Sequence, residues 1–100
     1  MLKRNEPEQL NVLKREITIV NKLGLHARAA AKLVTLASSF EADIQLLRGD
    51  REVNCKSIMS VMMLAAGKGT RLQIRACGAD AELALERLES LVLGRFGEDE

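Results

Sequence analysis

The residues of this chain best equipped for chemistry are the five at positions 24–28, GLHAR. His26 is the sole histidine among 100 residues. It follows a glycine loop and stands directly before an alanine-rich run with helical spacing. A histidine in that place meets the start of a helix, where the leading backbone N–H groups lack partners and the peptide dipoles sum to roughly half a positive charge. Both features favour an anion, so a phosphoryl group there is already partly solvated by the protein. The same field opposes a second positive charge on the ring, which leaves a nitrogen lone pair free to attack phosphorus. Arg28, in the first turn, can offer charge to phosphate oxygens. A cation gains nothing structural at the positive end of a helix, and its presence there is a hint of a ligand. Phosphoryl transfer depends mainly on positioning and electrostatics, so these parts suffice for it. Without a ligand, the same residues read as a surface histidine and a solvated arginine.

The elements that must position this loop can be read from side-chain periodicity. Residues 15–20, REITIV, alternate in the manner of a strand, with Ile17 and Ile19 on one face. NKLGLH follows as a loop in which Gly24 supplies backbone freedom. In residues 27–40, Ala30, Leu33, Ala37 and Phe40 recur on one helical face, with Lys32, Thr35 and Ser39 opposite. Residues 42–48 predict a second strand carrying Ile44 and Leu46 inward, Gly49 and Asp50 a turn, and residues 51–55 a short third strand. Ser57 is a good N-cap for a short helix through SIMSVMMLAA, with Gly67 or Gly69 as its stop. Residues 70–77 alternate again, with Leu72, Ile74 and Ala76 on one side and Arg71, Gln73 and Arg75 on the other. Asp80 can cap a last helix whose stripe is Ala81, Ala84, Leu85, Leu88, Leu91 and Val92, and which Gly94 and Gly97 end. The order β-α-β-β-α-β-α is best satisfied by an α+β fold, one sheet with the helices packed on one face. Residues 1–14 are expected to form a flexible extension, residues 15–97 the folded domain, and residues 98–100 an acidic tail.

Composition narrows the function classes. Fifteen basic and fourteen acidic residues give a net charge of +1, so no global field recruits nucleic acid or an anionic membrane. Phe40 and Phe96 are the only aromatic residues, too few to stack bases in the manner of single-strand binders. Hydrophobic residues make up 47% of the chain, enough for a core of Leu, Ile, Val, Ala and Met. Cys55 and Cys77 have no CxxC spacing and no second histidine, so they read as small buried or half-buried thiols; no metal or cofactor is expected. The first fourteen residues lack an apolar signal core, and no stretch approaches the ~18 apolar residues of a membrane span. A reducing cytoplasm is the expected compartment.

GLHARAAAKLV resembles the active-site signature of HPr, the histidine phosphocarrier of the bacterial phosphotransferase system. KSIMSVMMLAAGKG, residues 56–69, is similar to the family's second signature, and the likeness runs from about residue 15 to residue 97. The resemblance implies an open-faced β-sandwich, a four-stranded antiparallel sheet covered on one side by three helices. It implies that His26 is phosphorylated on its ring δ nitrogen and that Arg28 contacts the phosphoryl group. It implies an enzyme I-type donor charged by phosphoenolpyruvate and a IIA-type acceptor. The chain would then be a monomeric carrier rather than an enzyme, serving sugar transport or, as in the nitrogen-type NPr branch, nitrogen regulation. One departure is Ala29, where the family usually has proline. Alanine gives up a fixed φ but adds an N–H near the phosphate.

Two further groups of residues belong to this expectation. Ser57 matches the serine that a dedicated kinase modifies in some family members, although its N-cap position explains it structurally. The helix bearing Ile58, Met59, Met62 and Met63 is apolar nearly all round. Ile58 and Met62 or their neighbours are expected to fill the core, and the remainder to form an adaptable docking patch with Ala27 and Lys32. A regulatory binding module controlled by Ser57 phosphorylation is the competing function.

Overall fold

Alternating apolar side chains dictate the sheet of the computed structural model, which describes residues 12–100. Strands β1 (Val12–Thr18), β2 (Asp43–Arg48), β3 (Arg51–Asn54) and β4 (Arg71–Cys77) form one antiparallel sheet in the order β1-β4-β2-β3. The register places Ile17 beside Leu72, Ile44 beside Ala76, and Leu46 between Ile74 and Val53. These residues share one face because side chains two apart along a strand point the same way. The opposite face is polar, and its Arg75 pairs with Glu52 from β3.

Three helices cover the apolar face: α1 (Ala27–Ser38), α2 (Ile58–Met62) and α3 (Ala81–Leu93), followed by a 3₁₀ turn, Arg95–Gly97. Helix α1 buries Ala29, Ala30, Leu33 and Ala37, and α3 buries Ala81, Ala84, Leu85, Leu88 and Val92. Leu91, on the margin of that stripe, is half-buried. Phe40 and Phe96 are both buried at the ends of helical segments. Four strands with three helices on one side make the open-faced sandwich that the resemblance implies. Among the described residues, no helix is long and apolar enough to cross a membrane.

Three local expectations need correction. Strand β1 begins at Val12, three residues earlier than the alternation suggests. Val12, Leu13 and Lys14 pair with Cys77, Ala76 and Arg75 of β4, and all three are exposed, so backbone pairing extends the strand where no burial pattern marks it. The remainder of the expected extension, residues 1–11, lies outside the described residues. Helix α2 stops at Met62 well short of Gly67. The guanidinium of Arg51 donates to the Met63 carbonyl and that of Arg48 to the carbonyls of Leu64 and Ala65. These bonds satisfy acceptors that another helical turn would otherwise use. Asp80 occupies the N-cap position of α3, yet its side chain makes no capping bond. Its carboxylate instead accepts the backbone N–H groups of Glu41 and Ala42, both at 2.9 Å, tying the α1–β2 connection to the start of α3. Those hydrogen bonds, the one from Glu41 foremost, hold its carboxyl below the usual range.

Candidate functional site: the loop before helix α1 and the C-terminal turn

The loop that delivers His26 is fixed by backbone geometry. Gly24 adopts φ +70°, and a Cβ at that residue would lie 2.7 Å from both the Ala66 carbonyl oxygen and the Gly67 Cα. Only glycine meets both demands, a left-handed backbone and contact with another chain segment. The next residue locks the approach, since the Leu25 N–H donates to the Ala66 carbonyl at 2.8 Å. The turn after α2 is thereby fastened to the start of α1.

His26 is the N-cap of α1, with extended backbone at φ −72° and ψ 177°. Its carbonyl accepts the first helical bond, from the Ala30 N–H at 2.8 Å. Its side chain makes no capping bond, and the first turn carries no acidic residue. The leading amides of the helix are therefore free of side-chain competitors for an anion. Arg28 is exposed, lines the same open cleft of about 730 Å³ as His26, and has no hydrogen-bond or ion-pair partner among the described residues. Ala29, which stands where the resemblance implies proline, is fully buried in the first turn.

The imidazole is half-buried, and its Nε2 lies 2.5 Å from Oε2 of Glu98. The carboxylate can only accept, so Nε2 carries the proton and donates. The other Glu98 oxygen accepts from Nδ2 of Asn21 at 3.0 Å. That amide is fully buried and also donates to the Gly24 carbonyl at 2.8 Å. Hydrogen bonds from His26 and then Asn21 hold the Glu98 carboxyl below its ordinary range, against a smaller opposing effect of partial burial. The C-terminal residues are thus part of the site rather than a free acidic tail. Phe96 anchors in the core, the Lys32 ammonium donates to its carbonyl at 2.7 Å, and the Lys22 N–H donates to the Glu100 carbonyl at 2.7 Å.

The expected docking residues divide. Ala27 is exposed beside His26 in the cleft lining. Ile58, Met59, Met62 and Met63 are all exposed, Met59 at 73%, and the core beneath them is filled instead by Val61 and Leu64. The expectation that Ile58 and Met62 fill the core is met by their neighbours, and the exposed apolar surface is larger than the sequence suggests. Leu23, 67% exposed on the histidine loop, lines the same cleft as His26. Sequence reasoning misses this residue because Leu23 and Leu25 are alike in type, and type alone does not tell that Leu25 is buried and Leu23 exposed. Lys32 is exposed along its stem, but its ammonium serves the Phe96 carbonyl instead of standing free at a rim. Ser57 caps α2, its Oγ accepting the Ser60 N–H at 3.3 Å. Cys55 is buried, its thiol pushed up to about 12 by desolvation, and Cys77 is half-buried; the two are not joined in a disulfide.

Comparison with known proteins agrees with this architecture. The family described as PTS HPr component phosphorylation site matches residues 13–93. The phosphocarrier protein HPr of Cupriavidus necator is 49% identical over 89 residues, 89% of this chain and 100% of its own length. The phosphocarrier protein NPr of Shewanella violacea is 43% identical over 86 residues, covering 86% of this chain and 94% of its own. The crystal structure of HPr-C-His from Thermoanaerobacter tengcongensis superposes with a TM-score of 0.85 at 40% identity, over 88% of this chain and 99% of that one. With the fold, the signature loop and the length of the match in agreement, the chain belongs to the HPr family of phosphocarrier components of the phosphotransferase system.

Proposed function

We propose that the phosphoryl group this carrier transports is held on Nδ1 of His26, taken from an enzyme I-type donor and passed to a IIA-type acceptor. The phosphocarrier role itself is that of the family, and the chain acts as a carrier and not as an enzyme proper. One observation supports the choice of residue above the others. A half-exposed imidazole opens onto a cleft at the uncapped start of α1 with one nitrogen hydrogen bonded and the other without a partner among the described residues. The Nδ1 lone pair attacks phosphorus as the bond from phosphorus to the donor's nitrogen breaks, its electron pair returning to the donor ring. The Arg28 guanidinium and the leading amides of α1 then meet the phosphate oxygens. Leu23 with Met59, Met62 and Met63 gives the donor and acceptor proteins a shared apolar surface on which to exclude water. A donor charged by phosphoenolpyruvate places this exchange in the cytoplasm.

The test is labelling with radioactive phosphoenolpyruvate and a cognate enzyme I. The chain should acquire acid-labile, base-stable phosphate, and His26→Ala should acquire none while keeping its circular dichroism spectrum. Acid-labile label retained by a folded His26→Ala chain would overturn the assignment.

A further inference from the structure

We infer that Glu98, held in place by Asn21, is a positioning residue that fixes the tautomer and plane of His26 for phosphoryl transfer. The inference rests on His26 being the phosphoryl carrier, as proposed above. Because Nε2 donates its proton in a hydrogen bond to the carboxylate at 2.5 Å, the lone pair of the neutral ring resides on Nδ1. Only that nitrogen can then attack phosphorus. Attack leaves both nitrogens substituted and the ring positively charged, and Oε2 is already placed to stabilise that charge. When the group leaves, the N–P bond breaks, its electrons return to Nδ1 and the Nε2 proton stays where it was. No proton has to enter or leave the site in either direction.

Two independent features indicate that this contact is built rather than incidental. The first is Asn21. Both of its donor contacts end on atoms that can only accept, the Gly24 carbonyl and Glu98 Oε1, so the amide cannot be turned round. Its Oδ1 is consequently left buried without a partner among the described residues, an arrangement that native proteins seldom tolerate without a functional reason. The second is the path of the chain to Glu98. Arg95, Phe96 and Gly97 all have positive φ, at 59°, 56° and 80°, and two of the three are not glycine. Such strain persists only where surrounding contacts impose it. Here the buried Phe96 ring and the Lys32 bond to its carbonyl hold the turn that brings Glu98 back over a histidine 72 residues away.

The experiment compares the full chain with Glu98→Gln, which keeps the shape but presents a donor to either His26 or Asn21. The tautomer is read by nitrogen-15 NMR of the imidazole, and the transfer rate by rapid quench with phosphorylated enzyme I. The native chain should show a protonated Nε2 and an unprotonated Nδ1 at neutral pH. In Glu98→Gln the two tautomers should mix and the transfer rate should fall about tenfold, the order expected for one charge-assisted hydrogen bond. A chain ending at Gly97 should behave in the same way, which guards against misfolding of the glutamine variant. A native rate in the variants would overturn the inference, as would a slow rate with an unchanged tautomer or a changed tautomer with an unchanged rate. Failure of the underlying assignment looks different, because His26→Ala would then keep its label.

Discussion

Replacing Gly24 with alanine tests whether the histidine loop is held as tightly as its geometry implies. Two penalties act at this residue. A left-handed backbone costs an alanine roughly 1–2 kcal/mol, and Gly24 sits at φ +70°. The added methyl would lie 2.7 Å from the Ala66 oxygen and the Gly67 Cα, both backbone atoms that cannot rotate aside; forced overpacking of this kind costs roughly 1–3 kcal/mol. Relieving the clash by moving the segment would break the bond from the Leu25 N–H to the same Ala66 oxygen, a further loss of about 1 kcal/mol. Loss of unfolded-state entropy offsets about 0.5 kcal/mol, so the net cost should be about 2–4 kcal/mol. Gly49 supplies the internal control, since it has φ +62° and a methyl added there would meet nothing within 4 Å. Gly49→Ala should cost about 1 kcal/mol. In melting temperature the two correspond to roughly 10–30 °C and to a few degrees, for a domain of this size. The chain lacks tryptophan and tyrosine, so urea and thermal unfolding are best followed by far-ultraviolet circular dichroism. Phosphotransfer measured below the lowered transition should also slow for Gly24→Ala, because the shifted loop carries His26, and stay native for Gly49→Ala. Equal destabilisation by the two substitutions would refute the reasoning, since the close approach to residues 66 and 67 would then constrain nothing.

Two further expectations concern titration and reactivity. The Asp80 carboxyl is held below its usual range by the amides of Glu41 and Ala42, so it stabilises the fold above its unfolded pKa and loses that effect as pH falls through the lower folded one. Asp80→Asn should therefore lose stability against the native chain at pH 7, with the gap closing below about pH 4; a gap that is the same at pH 3 and pH 7 would contradict this. Cys55, buried and with its thiol pushed up to about 12, should react with a disulfide reagent at pH 8 only as fast as the domain opens. A Cys77→Ser chain isolates that reaction, and rapid modification without denaturant would show the thiol to be accessible.

The elements are legible wherever burial imposes a period. Ile44 and Leu46, or Leu72, Ile74 and Ala76, alternate because one face of the sheet meets helices and the other meets water. The first residues of β1 are not legible, because Val12, Leu13 and Lys14 are exposed on an edge strand and only their backbone is paired. The end of α2 is hidden for a different reason. Arginines of β2 and β3, distant in sequence, take the carbonyls that end it. Asp80 stands at the N-cap position its spacing predicts, but its side chain serves another segment, a choice between local and tertiary partners that spacing cannot decide. The proposed nucleophile is the easiest part to read, since Gly24, His26 and Arg28 are local. Its support is not, because Glu98 contributes through a turn whose positive φ values at Arg95 and Phe96 have no signature in residue type.

The shape of the candidate site fits the proposed division of labour between this chain and its partners. A site for a small molecule surrounds most of its ligand and fixes it by convergent polar groups. Here the imidazole stands at an open cleft, with an arginine that has no partner among the described residues and a helix start on its own side. Those groups can hold phosphate oxygens but cannot enclose a phosphoryl group on all faces. On the proposed reading, the remainder of the enclosure comes from the protein that gives or takes the group, seated on the exposed Leu23, Met59, Met62 and Met63. Flexible methionines suit a surface that must fit two different proteins in turn. Water is then excluded only while a partner is docked, so electrostatic stabilisation by Arg28 is greatest during transfer and weaker between encounters. An enclosed pocket would bind phosphate more tightly, but it would also block the second partner from reaching Nδ1. On the proposed assignment, it is the openness of the cleft that lets His26 act as acceptor and as donor.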